Sequence, residues 1–175
     1  MDVAGSKWLY THEGYVKMVC MSPGGKKACS FGYLDLVFVV YDLQMLNISS
    51  KTNLELVISS YCFDFNANKS LMAFESLNEL TVWDHNAPVH RRKIVCKAHN
   101  DFIYLCRIAD DGVIGLSCDL SMHMIIWNLF KNQPIRDVKI NNYVMNIQAT
   151  PYFKMIVIKT TSSVIIYEPR FRLYW

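Results

Sequence analysis

The chain has 175 residues and a formal charge of +3, from 18 Lys and Arg against 15 Asp and Glu. That length fits about one domain, and so mild a charge makes no case for nucleic-acid or membrane-surface binding. With 52% apolar and only 19% charged residues, intrinsic disorder is excluded.

The N-terminal stretch carries Asp2, Lys7, Glu13 and Lys17 and no apolar run, so no secretory signal is expected. The longest apolar run, Leu34 to Tyr41, is interrupted by Asp35 and falls short of the ~18–20 residues that cross a bilayer. A soluble, cytoplasmic chain is the expectation. Six cysteines, Cys20, Cys29, Cys62, Cys96, Cys106 and Cys118, show no CxxC spacing. Most sit in apolar runs and read as buried reduced thiols. The histidines, His12, His85, His90, His99 and His123, are too dispersed for a zinc set.

In chain order the pattern repeats. An alternating strand at Val16–Met21 leads to a turn at Ser22–Gly25, a second strand at Ala28–Phe31, and "FVVYD" ending at Asp42. The second unit has Tyr61–Phe65, a turn at Asn66–Lys69, Leu71–Phe74, and "LTVWD" ending at Asp84. The third has Phe102–Ile108, a turn at Ala109–Gly112, Val113–Ser117, and "MIIWN" ending at Asn128. The fourth has Val144–Gln148, a turn at Ala149–Tyr152, Met155–Ile158, and "VIIYE" ending at Glu168. A more polar stretch such as "PIRDVKI" follows the aromatic pair. The aromatics Tyr41, Trp83, Trp127 and Tyr167 recur about every 42 residues. Four strands per repeat and no helical period predict an all-β protein of four-stranded antiparallel sheets. The units are bounded as 12–52, 53–97, 98–138 and 139–175, with 1–11, containing "SKWLY", as the last strand of a further unit. The stretch "RFRLYW" reads as the last strand of the fourth.

This pattern resembles the WD-repeat β-propeller family, whose blades are four-stranded sheets of ~40–45 residues with Trp-Asp closing the third strand. The WD-like pairs are Tyr41–Asp42, Trp83–Asp84, Trp127–Asn128 and Tyr167–Glu168. Ala98–His99 stands where the family has Gly-His, and His12 holds the same place in the first unit. The resemblance implies a buried hydrogen-bonded set in the third unit: His99, Ser117, Asp119 and Trp127. Asp119 lies eight positions before Trp127, whereas the family spacing of six falls on Ser121; Asp35 keeps that spacing to Tyr41. Four repeats fall short of the usual seven-bladed ring. The chain is therefore expected to be the C-terminal part of a larger propeller; pairing in trans and closure as a four-bladed ring are the other expectations. A narrower resemblance is to the propeller that ends BEACH-domain membrane-traffic proteins. It is carried by "YEPRFRLYW" and by the stretch from His12 to Leu43, and no BEACH motif is present.

Catalytic motifs are lacking. Gly24–Gly25 belongs to a hairpin turn rather than a phosphate loop, and Asp110–Asp111–Gly112 lacks the pattern of a calcium loop. The expectation is no enzyme, no cofactor and no metal. The basic run His90–Lys93 allows a peripheral contact with acidic lipid, but it departs from the Phe-Arg-Arg-Gly motif of phosphoinositide-binding propellers. Nucleic-acid binding is not expected. What the family resemblance implies is a protein-interaction scaffold that uses the rim loops or an open arc. The rim loops hold His12, Glu13, Tyr15, Tyr33, Asp35, Asn78, Glu79, Asn100, Asp101, Leu120 and Met122, with Tyr15, Tyr33 and Met122 as the expected partner-binding anchors.

Overall fold

The computed structural model describes residues 7–22, 24–53, 63–66, 71–76, 78–84 and 93–170. Among these residues there is no helix, and every sheet is antiparallel. The chain separates into two compact units, Met1–Val57 and Ile58–Trp175.

The first unit is one four-stranded sheet: β1 (Val16–Met21), β2 (Lys27–Gly32), β3 (Val37–Asp42) and β4 (Asn47–Asn53), side by side in chain order. β3 is the run Val-Phe-Val-Val-Tyr-Asp, β-branched and aromatic enough to favour a pleated strand. Phe38, Val39 and Val40 are buried within it. Lys7–Tyr10, expected as part of a strand, carries no strand, and Ser6 lies outside the described residues.

The second unit carries three sheets. β5 (Phe63–Asn66), β6 (Leu71–Ser76), β7 (Glu79–Asp84) and β8 (Lys93–Lys97) form one. β9 (Ile103–Ile108), β10 (Ile114–Asp119), β11 (His123–Asn128) and β12 (Gln133–Lys139) form the next. β13 (Val144–Ala149), β14 (Ile156–Thr160) and β15 (Val164–Tyr167) form the last. The expected closing strand Arg170–Trp175 falls at 171–175 outside the described residues, and Arg170 itself is not in a strand. β4 runs through Asn53 and β12 through Lys139, one residue past the boundaries read from the sequence.

The sheet β9–β12 is covered on both faces, and side-chain alternation decides which residue faces which neighbour. Ile125 and Trp127 join Leu80, Val82 and Cys96 of the preceding sheet in one core cluster. Leu116, Met124 and Ile126 instead join Val144, Ile147, Ile156 and Ile158 of the following sheet. Each fully buried aliphatic side chain contributes about 1.5–3 kcal/mol relative to exposure. The Asp64 carboxylate also accepts the Ile108 N–H at 2.7 Å, linking β5 to β9.

The turns repeat with the sheets. Gly25 and Gly112 adopt positive φ (63° and 67°) between the first two strands of their sheets. Their N–H groups bond back to Ser22 and Ala109 at 2.8 and 2.9 Å. Phe153 takes the same role at φ 51°, bonding to Thr150, and its ring is buried. An aromatic in a left-handed position is costly, and here the ring it places in the core offsets that cost. Leu36 and Met122 have positive φ just before β3 and β11, and Leu46 and Asn132 just before β4 and β12. The backbone therefore keeps the repeat where the side chains diverge.

Candidate functional site

Two buried relays fasten these sheets. In the sheet β9–β12 the His99 Nδ1 lies 2.8 Å from Asp119 Oδ2, and His99 Nε2 lies 2.6 Å from Ser117 Oγ. The Trp127 indole N–H donates to the same Ser117 Oγ at 2.7 Å. The proton positions follow from donor and acceptor inventory. An ionised carboxylate only accepts, so His99 Nδ1 carries the hydrogen and Nε2 accepts the Ser117 hydroxyl. That leaves the Ser117 lone pairs for the indole. Burial pushes the His99 pKa below its ordinary value, outweighing the opposing Asp119 contact. The neutral ring this favours is the one the relay requires.

The four residues expected from the sequence thus meet in one place, and the uncertain spacing resolves to Asp119. Ser121, the alternative, is engaged elsewhere: its hydroxyl donates to Asp101 at 2.8 Å. Asp119 also accepts the His123 N–H at 2.9 Å, closing the β10–β11 turn. The order Ser–His–Asp is that of a hydrolytic triad, but Ser117 is fully buried and its oxygen is already shared by two partners. It ties strands together.

The first sheet contains a second relay. His12 Nδ1 lies 2.9 Å from Asp35 Oδ2, His12 Nε2 lies 2.6 Å from Ser30 Oγ, and Ser30 Oγ lies 2.7 Å from the Tyr41 hydroxyl. Burial pushes the Asp35 pKa up, but hydrogen bonds from the Val37 N–H, His12 and the Glu13 N–H together hold it below the ordinary carboxylate value. Ser30 was missed by sequence reasoning. The signal was available in the sequence, because Ser30 lies 18 positions after His12 as Ser117 lies 18 after His99, and the register sets them alike opposite Val39 and Ile125.

Two of the residues after the aromatics, Asp42 and Asn128, shape turns. Asp42 Oδ1 accepts the Gln44 and Met45 N–H groups at 2.9 and 2.8 Å, and Asn128 Oδ1 accepts the Lys131 N–H at 2.9 Å. A short acceptor side chain is what such a turn needs. Asp84 ends β7; Trp83 lies in that strand opposite Met72. Tyr167 accepts a hydrogen bond from Arg136 at 3.2 Å, and Glu168 is exposed. Of the basic run, His90, Arg91 and Arg92 lie outside the described residues.

The exposed chemistry is aromatic and also repeats. Tyr15, Phe102 and Tyr143 each stand one residue before the first strand of a sheet, and each is exposed. Their carbonyls accept the N–H groups of Tyr33, Leu120 and Thr161 at 3.1, 2.9 and 3.1 Å. In the first unit Tyr15 stacks on Tyr33 with ring centres 4.8 Å apart, and the Lys17 ammonium lies 5.1 Å from the Tyr33 ring centre. In the second unit Tyr104 and Tyr143 stack at 5.1 Å. With Phe102 and Leu120 they line an open hollow of about 460 Å³. Tyr104 is fixed by donating to the Val144 carbonyl at 2.8 Å, and burial raises its pKa, so the phenol stays neutral. A smaller hollow of about 180 Å³ adjoins through Phe102 and is lined by Asn78, Asn100 and Asp101. Hydrogen bonds from Ser121 and the Phe102 N–H hold the Asp101 carboxyl below its ordinary pKa.

The structure therefore brings Tyr15 and Tyr33 together. Met122 is half-buried with φ 64° and belongs to the other unit. Phe102, Tyr104 and Tyr143 were missed as surface residues, although Phe102 and Tyr143 hold the repeat position of Tyr15. Among the described residues no group of three or more His, Cys, Asp or Glu is placed to hold a metal ion. No helix among them is long and apolar enough to cross a membrane. No family model matches the chain, and no curated protein sequence matches it.

Proposed function

We propose that this chain is a portion of a WD-repeat β-propeller that serves as a non-catalytic protein-recognition platform. The observation that carries the reading is the exposed aromatic just before the first strand of three of the four sheets, Tyr15, Phe102 and Tyr143, of which Phe102 and Tyr143 border an open apolar hollow. Hydrogen-bonded relays brace the sheets β1–β4 and β9–β12, and aromatics held beside braced sheets lower the ordering cost of binding. Tyrosines and phenylalanines beside an apolar hollow are the anchors that protein interfaces favour. The hollow suits one apolar or aromatic side chain of a partner, with Asn78, Asn100 and Asp101 satisfying its polar surroundings. The alternative is a regulatory propeller tail of a BEACH-like protein, a resemblance carried by "YEPRFRLYW" and the stretch from His12 to Leu43, with contact to acidic lipid resting on the run His90–Lys93.

Selection of a random peptide display library on the intact chain tests this. Enrichment of a motif with one apolar or aromatic anchor is expected, with loss of at least tenfold in affinity for Leu120→Glu and for Tyr143→Ser. Retained binding by both variants, or no enriched motif, would contradict the reading.

A further inference from the structure

The register of the first sheet sets Cys20 directly opposite Cys29. The two stand nine positions apart in the sequence, across the β1–β2 hairpin, and spacing alone does not mark them as a pair. Directly opposed residues of antiparallel strands project from the same face, with Cα atoms about 4.5–5.5 Å apart. A disulfide spans Cα separations of about 4.4–6.8 Å. The pairing is regular from Met18 to Met21, with Val19 opposite Ser30 and Met21 opposite Ala28. Both residues are present as thiols; Cys20 is half-buried and Cys29 buried. The other described cysteines face different residues: Cys96 is opposite Leu80, Cys106 opposite Ser117 and Cys118 opposite Leu105. All three are buried, and burial pushes the Cys96 thiol up to about 12.

We infer that Cys20 and Cys29 form a reversible cross-strand disulfide when the protein meets a low-molecular-weight disulfide such as glutathione disulfide. Cys20, the more accessible, loses its proton to solvent and attacks one sulfur of the reagent. The reagent's S–S bond breaks, and one glutathione leaves as a thiolate that takes up a proton. Cys29, deprotonated in turn, attacks the Cys20 sulfur of the mixed disulfide and expels the second glutathione. In total the two cysteines lose two hydrogens, and one glutathione disulfide becomes two thiols. Opposed Cβ atoms on neighbouring strands lie about 4.5–5.5 Å apart, wider than the ~3.8 Å mean of a relaxed disulfide. The bond is therefore strained and readily reduced by excess thiol. Its formation staples the edge strand β1, and with it the Tyr15–Tyr33 pair just beyond, to the rest of the sheet.

The test exposes the folded full chain to glutathione disulfide, blocks remaining thiols by alkylation and maps tryptic peptides. Trypsin cuts at Lys26 and Lys27, between the two cysteines. The expected product is a linked pair of peptides holding Cys20 and Cys29, two hydrogens lighter than the separate thiols and released by reduced glutathione. In Cys29→Ser, Cys20 is expected to stop at the glutathione adduct. A wild-type chain in which Cys20 keeps its glutathione while Cys29 is alkylated would overturn the inference, as would both cysteines being alkylated. This result stands apart from the peptide-binding test, which reads a different surface.

Discussion

The Trp127 indole nitrogen lies 2.7 Å from the Ser117 hydroxyl, although the two are not opposed in the strand register. Trp127 faces Gly115, and Ser117 faces Ile125, so the bond runs diagonally across β10 and β11. Tyr41 reaches Ser30 along the same diagonal, with Ala28 opposite the ring. A small residue opposite the aromatic and a serine two positions on define the geometry in both sheets.

Removing that serine leaves two buried groups unsatisfied. Ser117→Ala should lower stability by about 2–4 kcal/mol, because both the indole N–H and His99 Nε2 lose their partner. Trp127→Ala should cost about 3–5 kcal/mol through the lost ring volume. Chemical denaturation of the two variants measures both. A loss under about 1 kcal/mol for either would place the relay outside the buried core.

Gly32 is required by what surrounds it. A Cβ there would collide with the Asp35 carboxylate and the His12 ring. Gly32→Ala should therefore cost about 1–3 kcal/mol, as overpacking at a filled site does. Gly24→Ala, where nothing lies near the added carbon, is the control and should change stability by less than about 0.5 kcal/mol. Thermal unfolding of both separates crowding from a general intolerance of substitution.

The direction of the His99 shift fixes a pH dependence. Its pKa is lower folded than unfolded, since burial disfavours the charged ring more than Asp119 favours it. The unfolded chain therefore binds the proton first as pH falls. The stability contribution is full above the unfolded value of about 6.5 and is lost as pH drops through the folded value. In His99→Gln the slope of stability against pH below 6.5 should flatten. Denaturation midpoints at several pH values measure it, and an unchanged slope would assign it to other groups.

The left-handed position Leu46 offers a gain. Its φ is 49° and its side chain is exposed, so the residue bears a steric cost without a core contact in return. Leu46→Gly should raise stability by about 0.5–1 kcal/mol. The same change at Phe153, whose φ is 51° but whose ring is buried, should lower it by about 3 kcal/mol or more. Opposite signs at two similar backbone angles are the expected result.

Much of this was legible in the sequence because strand period and turn chemistry are local. The runs ending at Asp42, Asp84, Asn128 and Glu168 announce their strands through β-branched residues, and Asp42 and Asn128 then start their turns. Four features were harder to read. The choice between Asp119 and Ser121 depends on where the β10–β11 turn begins, which the register fixes and the spacing does not. The opposition of Cys20 and Cys29 depends on hairpin loop length. The stacking of Tyr104 on Tyr143 joins neighbouring sheets, and periodicity within one repeat carries no trace of it. Phe102 belonged to an expected strand, but β9 starts at Ile103 and leaves its ring at the surface.

The central claim is that His12 and His99 are structural donors, each holding a proton on Nδ1 toward a carboxylate, and that the buried His99 ring is neutral. Nitrogen-15 NMR of the imidazole rings measures this directly at neutral pH. The expected result is that His99 is the neutral Nδ1–H tautomer, that the Nδ1 protons of both rings are protected from exchange, and that Ser117→Ala perturbs His99 while leaving His12 unchanged. Rings averaging between tautomers with freely exchanging protons would contradict it.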